Sequence, residues 1–220
     1  MDVEKKFKEY VARISTTDRI AVYTGPDVDG LSSAAITSEA IRRIRGKPID
    51  LFIYEESNRP GLTQSNSLKI SDCQINKLVV LDISIDNAPD ETIEVMRGLD
   101  TLVLDHHLTV RDLNKEGILF VKPEYFSKVE PVRYPSSKMT YDLFGKVVSF
   151  GDLDWISALG IMSDGAYDVW SEHVDKVAEK QGIKYRKGEV WKSDLGKAVT
   201  VLNRALLYDS KNAPECLEAL

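Results

Sequence analysis

Between residues 18 and 122, short apolar runs rich in β-forming residues alternate with longer stretches whose apolar positions recur at helical spacing. The strand candidates are "RIAVYTG", "PIDLFIY", "KLVVLDIS", "DTLVLDHH" and "GILFVKP". The intervening helix candidates include "LSSAAITSEAIRRIRG", closing on Gly46, and "APDETIEVMRGL", opened by proline and acids. Strands that alternate with helices imply a parallel sheet with right-handed crossovers, covered on both faces. A helix over about residues 2–14 precedes the first strand, and residues 55–72 read as polar and irregular, with "NRPG" as a turn. Beyond a soft boundary at 122–135, where prolines and charges gather, the chain changes character. "SSKMTYDLFGKVV", "DWISALGIMSDGAYDVW", "EHVDKVAEK" and "DLGKAVTVLNRALLYDS" all read as helical. The expected class is α/β: a parallel sheet of about five strands flanked by helices, with a mainly helical C-terminal part. Residues 1–170 are expected to form the core and 171–220 a helical extension of the same domain.

Composition narrows the function classes. A 43% hydrophobic content supplies a real core, and 29% charged residues argue against disorder and against membrane insertion. No uninterrupted apolar stretch is long enough to span a bilayer, so no membrane association is expected. The opening "MDVEKKFKEYVARI" alternates charged and apolar residues at helical spacing, unlike a secretory signal. Cys73 and Cys216 lie far apart and form no metal-type pair; they read as reduced thiols of a cytoplasmic protein. The net charge of −6 disfavours a general nucleic-acid coat protein and leaves a local basic groove or bound cations as ways to hold a phosphate.

In open parallel sheets, ligands bind outside the carboxyl ends of the strands. Acids cluster at that edge: Asp27 and Asp29 after the first strand, Asp82 after the third, and Asp105 with His106 and His107 after the fourth. Each has a bland alternative. Asp27 or Asp29 can cap the following helix, and Asp82 can form a turn. An EF-hand loop fails on spacing, because a glycine at Gly30 puts Gly25 at the first ligand and Ile36 at the closing glutamate. A P-loop fails because "TGPDVDGLSS" lacks the Gly-Lys-Ser/Thr ending. The histidine doublet is the strongest functional signal. Consecutive residues at a strand end point in opposite directions, so the two rings are expected to have separate jobs, one on a metal and one toward solvent or substrate.

Several carboxylates facing one crevice repel each other and stay partly protonated unless cations are bound. Oxygen ligands with one imidazole suit Mn2+ or Mg2+ better than zinc. A carboxylate between two ions about 3.5–4 Å apart can bridge them, and such a pair serves phosphoester or phosphoanhydride hydrolysis.

The stretches "PDVDG", "VVLDIS", "VLDHHLT" and "ALGIMSDG" resemble the four ordered motifs of the DHH phosphoesterase superfamily over roughly residues 18–170. "PSSKMTYDLF" followed by "WISALGIMSDGA" is most similar to the RecJ-like branch. The resemblance implies two divalent ions: Asp27 on the first, Asp29 on the second, Asp82 bridging, and His106 with Asp164 on the second. His107 is then expected to contact the scissile phosphate, with Asp105 orienting the histidines. The implied activity is a metal-dependent phosphodiesterase or single-strand-specific exonuclease module acting on single-stranded nucleic acid or short oligonucleotides. Two departures qualify it. Tyr23 and Gly25 stand where many members carry a first-metal histidine, which predicts a weakened first site. A "GGGH"-like stretch of the C-terminal substrate domain is missing, so that domain is expected to be absent. Both favour an alternative: a RecJ-like adaptor with weak or no chemistry, binding replication or repair proteins. A pyrophosphatase-like role is the weaker expectation, because the sequence ends too early to supply the basic residues that clamp a highly charged substrate. The one dense basic–aromatic stretch, "KYRKGEVWK" (184–192), reads either as a solvated loop or as a strand-gripping patch.

Overall fold

The computed structural model describes residues 2–56, 60–186 and 188–220. Five strands form one sheet: β1 (Ile20–Thr24), β2 (Leu51–Tyr54), β3 (Lys77–Leu81), β4 (Asp100–Leu104) and β5 (Leu119–Val121). All pair in parallel, in the order β2-β1-β3-β4-β5. The helices are α1 (Val3–Ala12), α2 (Val28–Arg45), α3 (Gln64–Asp72), α4 (Asp90–Arg97), α5 (Ser136–Phe144), α6 (Asp154–Ser163), α7 (Tyr167–Lys180), α8 (Asp194–Tyr208) and α9 (Ala213–Glu218).

Strand side chains alternate between two apolar layers, as a sheet covered on both faces requires. Ile20, Val22, Val79, Leu81, Leu102 and Leu104 face the layer built with Phe7, Tyr10, Ile36, Ile41 and Phe144. Ala21, Tyr23, Leu78, Val80, Val103 and Phe120 face the layer holding Ile70, Ile93 and Met96. The later helices form a third apolar cluster. It joins Val28 and Leu31 of α2 to Leu159, Met162, Val174, Leu195 and Val199. Thus α2 is shared between the sheet and the helical C-terminal part.

Two features of this topology position the site. First, the chain leaves β1 for β2 on one side and crosses to β3 on the other, so a crevice opens at the carboxyl ends of β1 and β3. Second, the strands end in register: Thr24 pairs with Leu81, Leu81 with Leu104, and Leu104 with Val121. Asp82, Asp105 and Lys122, each one residue further, therefore leave the sheet at the same level.

Three local details differ from the sequence reading. Part of the irregular 55–72 stretch is helix α3, capped by the Thr63 hydroxyl, which accepts from the Asn66 amide. Only Asn66 and Ile70 of that helix are buried, so it carries almost no apolar periodicity. The "DWISALGIMSDGAYDVW" run breaks after Ser163, where Gly165 takes φ +64°, and α7 absorbs "EHVDKVAEK". Helix α2 begins at Val28 rather than near Leu31, with Asp27 as its N-cap. Among the described residues no helix is long and apolar enough to cross a membrane.

Candidate metal centre

The loop after β1 reaches the crevice through glycine. A Cβ on Gly25 would lie 2.7 Å from the Asp82 carbonyl oxygen, so the two strand ends approach as closely as backbones can. The chain then turns into α2. Exposed Asp27 caps that helix, its Oδ1 accepting from the Gly30 amide at 2.8 Å. The capping reading thus holds for Asp27 and not for Asp29, which sits inside the first turn and is fully buried.

Asp29 instead caps a different helix. Its Oδ2 accepts from the Ser136 amide at 2.7 Å and its Oδ1 from the Ser137 amide at 3.1 Å. Helix α5 has Pro135 at its N-cap and no side-chain cap of its own, so the Asp29 carboxylate supplies the acceptor its free N–H groups need. Burial raises the Asp29 pKa; His106 and the Ser137 hydrogen bond pull the other way without cancelling it. Packing at this point is tight. A Cβ on Gly160 of α6 would meet Ser137 Oγ at 2.1 Å and Asp29 Oδ1 at 2.5 Å.

Asp82 takes the left-handed conformation, φ +56°, as β3 ends. Aspartate tolerates that region better than most residues. Its Oδ1 accepts from the Ser136 hydroxyl at 3.0 Å and lies 3.3 Å from His106 Nε2. Burial drives its pKa well above the usual carboxylate range, and repulsion from Asp27, Asp29 and Asp164 adds to this. Asp164 is the C-cap of α6, with Oδ2 3.3 Å from the same His106 nitrogen. Burial first, and Asp29 next, push its carboxyl up to about 8.

The two histidines do not diverge as alternation along a strand predicts, because β4 ends at Leu104 and the doublet lies beyond it. Their rings meet edge to face, centroids 4.9 Å apart. They do differ in exposure: His106 is buried, whereas the His107 side chain is 46% exposed. His107 Nδ1 lies 2.7 Å from Asp105 Oδ1. Asp105 is therefore the hydrogen-bond partner of the His107 ring, while His106 Nδ1 is buried with no hydrogen-bond partner among the described residues. The Asp105 hydrogen bond raises the His107 pKa against the opposing effect of burial. Burial acts to raise Asp105 itself, but the hydrogen bond from His107 and the Lys122 ammonium outweigh it and hold the carboxyl low.

Asp29, Asp82, His106 and Asp164, from four separated stretches, thus converge. Two overlapping sets have ligand atoms within 4.8 Å of one another: Asp29, His106 and Asp164, and Asp82, His106 and His107. Carboxylate oxygens with imidazole nitrogen, crowded enough that the acids resist ionising together, form a donor set that fits a hard divalent cation. Asp27 lies at the mouth, close enough to raise the pKa values of Asp29, Asp82 and Asp164.

Sequence reasoning missed Ser136, Ser137 and Lys122. Both serines act through backbone amides at a helix start, for which residue type gives little signal, and Ser136 acts through its hydroxyl as well. Lys122 had one: a lysine closing the apolar run "GILFVK" must find a partner wherever that strand ends. In the 184–192 stretch, the Tyr185 hydroxyl donates to Asp175 and Trp191 is 47% exposed; Lys187 lies outside the described residues.

The DHH family, N-terminal domain, matches residues 19–156. No curated protein matches the chain. Among solved structures, exonuclease RecJ bound to manganese superposes with a TM-score of 0.63 at 17% identity, over 99% of this chain and 63% of that one. The DHH domain of a protein assigned to a family of ribosomal proteins gives 0.68 at 15%, over 94% and 54%. CDC45 from Entamoeba histolytica gives 0.53 at 14%, over 83% and 38%. The chain spans 63% or less of these three proteins, and at such identities the likeness establishes the fold alone.

Proposed function

The chain belongs to the DHH family, and from that premise we propose that it is a metal-dependent phosphodiesterase or single-strand exonuclease module acting on nucleic-acid ends or short oligonucleotides. Asp29, His106 and Asp164 would hold one divalent ion, Asp27 a second, and Asp82 would lie between them. Bound Mn2+ or Mg2+ supplies an activated water and offsets the charge that gathers on phosphorus.

The protein's own residues do the rest. The Ser136 and Ser137 amides fix the Asp29 carboxylate, and the Ser136 hydroxyl fixes Asp82, so neither acid reorients as charge enters the crevice. His107 has Nδ1 committed to Asp105, which leaves Nε2 for the substrate. The Asp105 hydrogen bond raises the His107 pKa, and in its protonated form the ring would offer Nε2–H to a phosphate oxygen as a charge-assisted hydrogen bond. The ring is half-exposed, open to an approaching phosphodiester, and packs edge to face on buried His106.

The observation that carries this reading is His106 Nε2 held 3.3 Å from both Asp82 and Asp164, with Asp29 in the same cluster. The test is cleavage of a nitrophenyl phosphodiester and of short single-stranded oligonucleotides with Mn2+. Turnover by the wild type that is lost in His107→Ala supports the proposal. A wild type that turns over neither substrate, or a His107→Ala variant that matches it, overturns it.

One observation favours the adaptor reading. Tyr23, where the resemblance expects a metal-binding histidine, is fully buried, with its hydroxyl within hydrogen-bonding reach of both Glu55 and the Gly61 carbonyl. Binding of single-stranded oligonucleotides or of replication proteins without Mn2+-dependent turnover would select that reading.

A further inference from the structure

Lys122 is fully buried, a position an ammonium tolerates only with charged, hydrogen-bonded partners. It leaves β5 level with Asp105 leaving β4, because Val121 and Leu104 are register partners. Its Nζ donates to Asp105 Oδ2 and, at 2.8 Å, to the carbonyl of His107. Asp86 Oδ1 lies 3.9 Å from the same nitrogen. The second oxygen of each acid faces the loop that follows β4. Asp105 Oδ1 meets His107 Nδ1, and Asp86 Oδ2 accepts from the Val110 amide at 2.6 Å and the Arg111 amide at 3.2 Å. One ammonium therefore lies beneath both ends of the 107–111 segment.

We propose that Lys122 is a positioning residue for His107: by holding Asp105 Oδ2 and the His107 carbonyl together, it fixes the carboxylate rotamer that presents Oδ1 to the ring and so aims Nε2 at the rim. A carboxylate bound through one oxygen only can rotate about its Cβ–Cγ bond; the Lys122 contact closes that freedom. The carbonyl contact adds a restraint that a mere counter-ion for Asp105 does not need. The inference rests on the reading of His107 as the phosphate-contacting group, and its test keeps the two apart.

The experiment compares the wild type with Lys122→Met in the full chain. It adds Lys122→Met/Asp105→Asn, which removes both buried charges together in case the single variant does not fold. An asparagine at 105 retains an oxygen able to accept from Nδ1, and Asp105→Asn alone is the reference for the double variant, so that only the difference between those two is assigned to the missing ammonium. Imidazole-labelled NMR of the Mg2+-loaded protein reads the His107 Nδ1 proton. The wild type should show it hydrogen-bonded and slow to exchange, and the folded variants should lose or broaden it. Phosphodiester cleavage should fall about 10- to 100-fold in kcat, the range for loss of a group that orients a working side chain, with KM and Mn2+ affinity unchanged. A folded variant with a wild-type His107 resonance overturns the proposal. So does a kcat loss matched by an equal loss of Mn2+ affinity, which would make Lys122 a support of the cage instead. If the wild type cleaves no phosphodiester, the functional reading fails while the His107 resonance still decides the role of Lys122.

Discussion

Replacing Asp82 with asparagine separates the shape of this side chain from its charge. Asparagine shares aspartate's tolerance of φ +56°, whereas alanine would add roughly 1–2 kcal/mol of backbone strain and confuse the result. It also keeps an oxygen for the Ser136 hydroxyl. Without cations, Asp82 is a buried acid repelled by Asp27, Asp29 and Asp164, so neutralising it should leave the melting temperature at pH 8 equal to or above that of the wild type. With Mn2+ the sign reverses. At a concentration 100-fold above Kd, the ion stabilises the wild type by about 2.7 kcal/mol. For a chain of 220 residues, with about 2–4 °C per kcal/mol, that is a rise of roughly 5–10 °C. If Asp82→Asn binds about 100-fold more weakly, the same Mn2+ gives about 0.4 kcal/mol, or roughly 1 °C. Thermal melts with EDTA, Mg2+ and Mn2+ read both signs. A variant that gains as much from Mn2+ as the wild type refutes the bridging role. A variant that melts well below the wild type in EDTA refutes the idea that the acids strain one another.

Two further outcomes follow from the same geometry. Asp164 has a folded pKa raised to about 8 against an ordinary 3.8, so between those values the metal-free native state keeps a proton that the unfolded chain has released. Stability of the metal-free protein should then fall as pH rises across that window, by up to roughly 1.4 kcal/mol per pH unit for one proton, and Asp164→Asn should flatten the urea-unfolding profile; a slope unchanged in the variant contradicts the assignment. Gly160→Ala should cost about 1–3 kcal/mol in urea unfolding and weaken Mn2+ binding, because the new methyl group overlaps Ser137 Oγ and Asp29 Oδ1; wild-type stability would show that α6 is free to move away.

Much of the fold was legible because its signals are collective. Five continuous apolar runs, each too short for a core helix, left a covered parallel sheet as the simplest arrangement, and β1 to β5 appear where those runs lie. The strand-end acids were legible because the carboxyl edge of such a sheet is one place in space. What remained hidden depends on single contacts. Helix α3 carries too little apolar surface to show a period. Asp29 caps a helix 107 residues away through backbone amides, which no local pattern announces. The divergence expected of His106 and His107 failed for a related reason: alternation holds only while the chain remains in the sheet, and β4 stops two residues before the first histidine. Asp164 could be singled out only through the family resemblance, since in isolation it is an ordinary helix-end acid.

The most direct test is anomalous scattering at the manganese edge from crystals of the chain equilibrated with Mn2+. Two peaks are expected within the cage of Asp27, Asp29, Asp82, His106 and Asp164, the one beside Asp29, His106 and Asp164 being the stronger. Absence of any peak there at saturating Mn2+, or manganese held only elsewhere on the surface, would contradict the account.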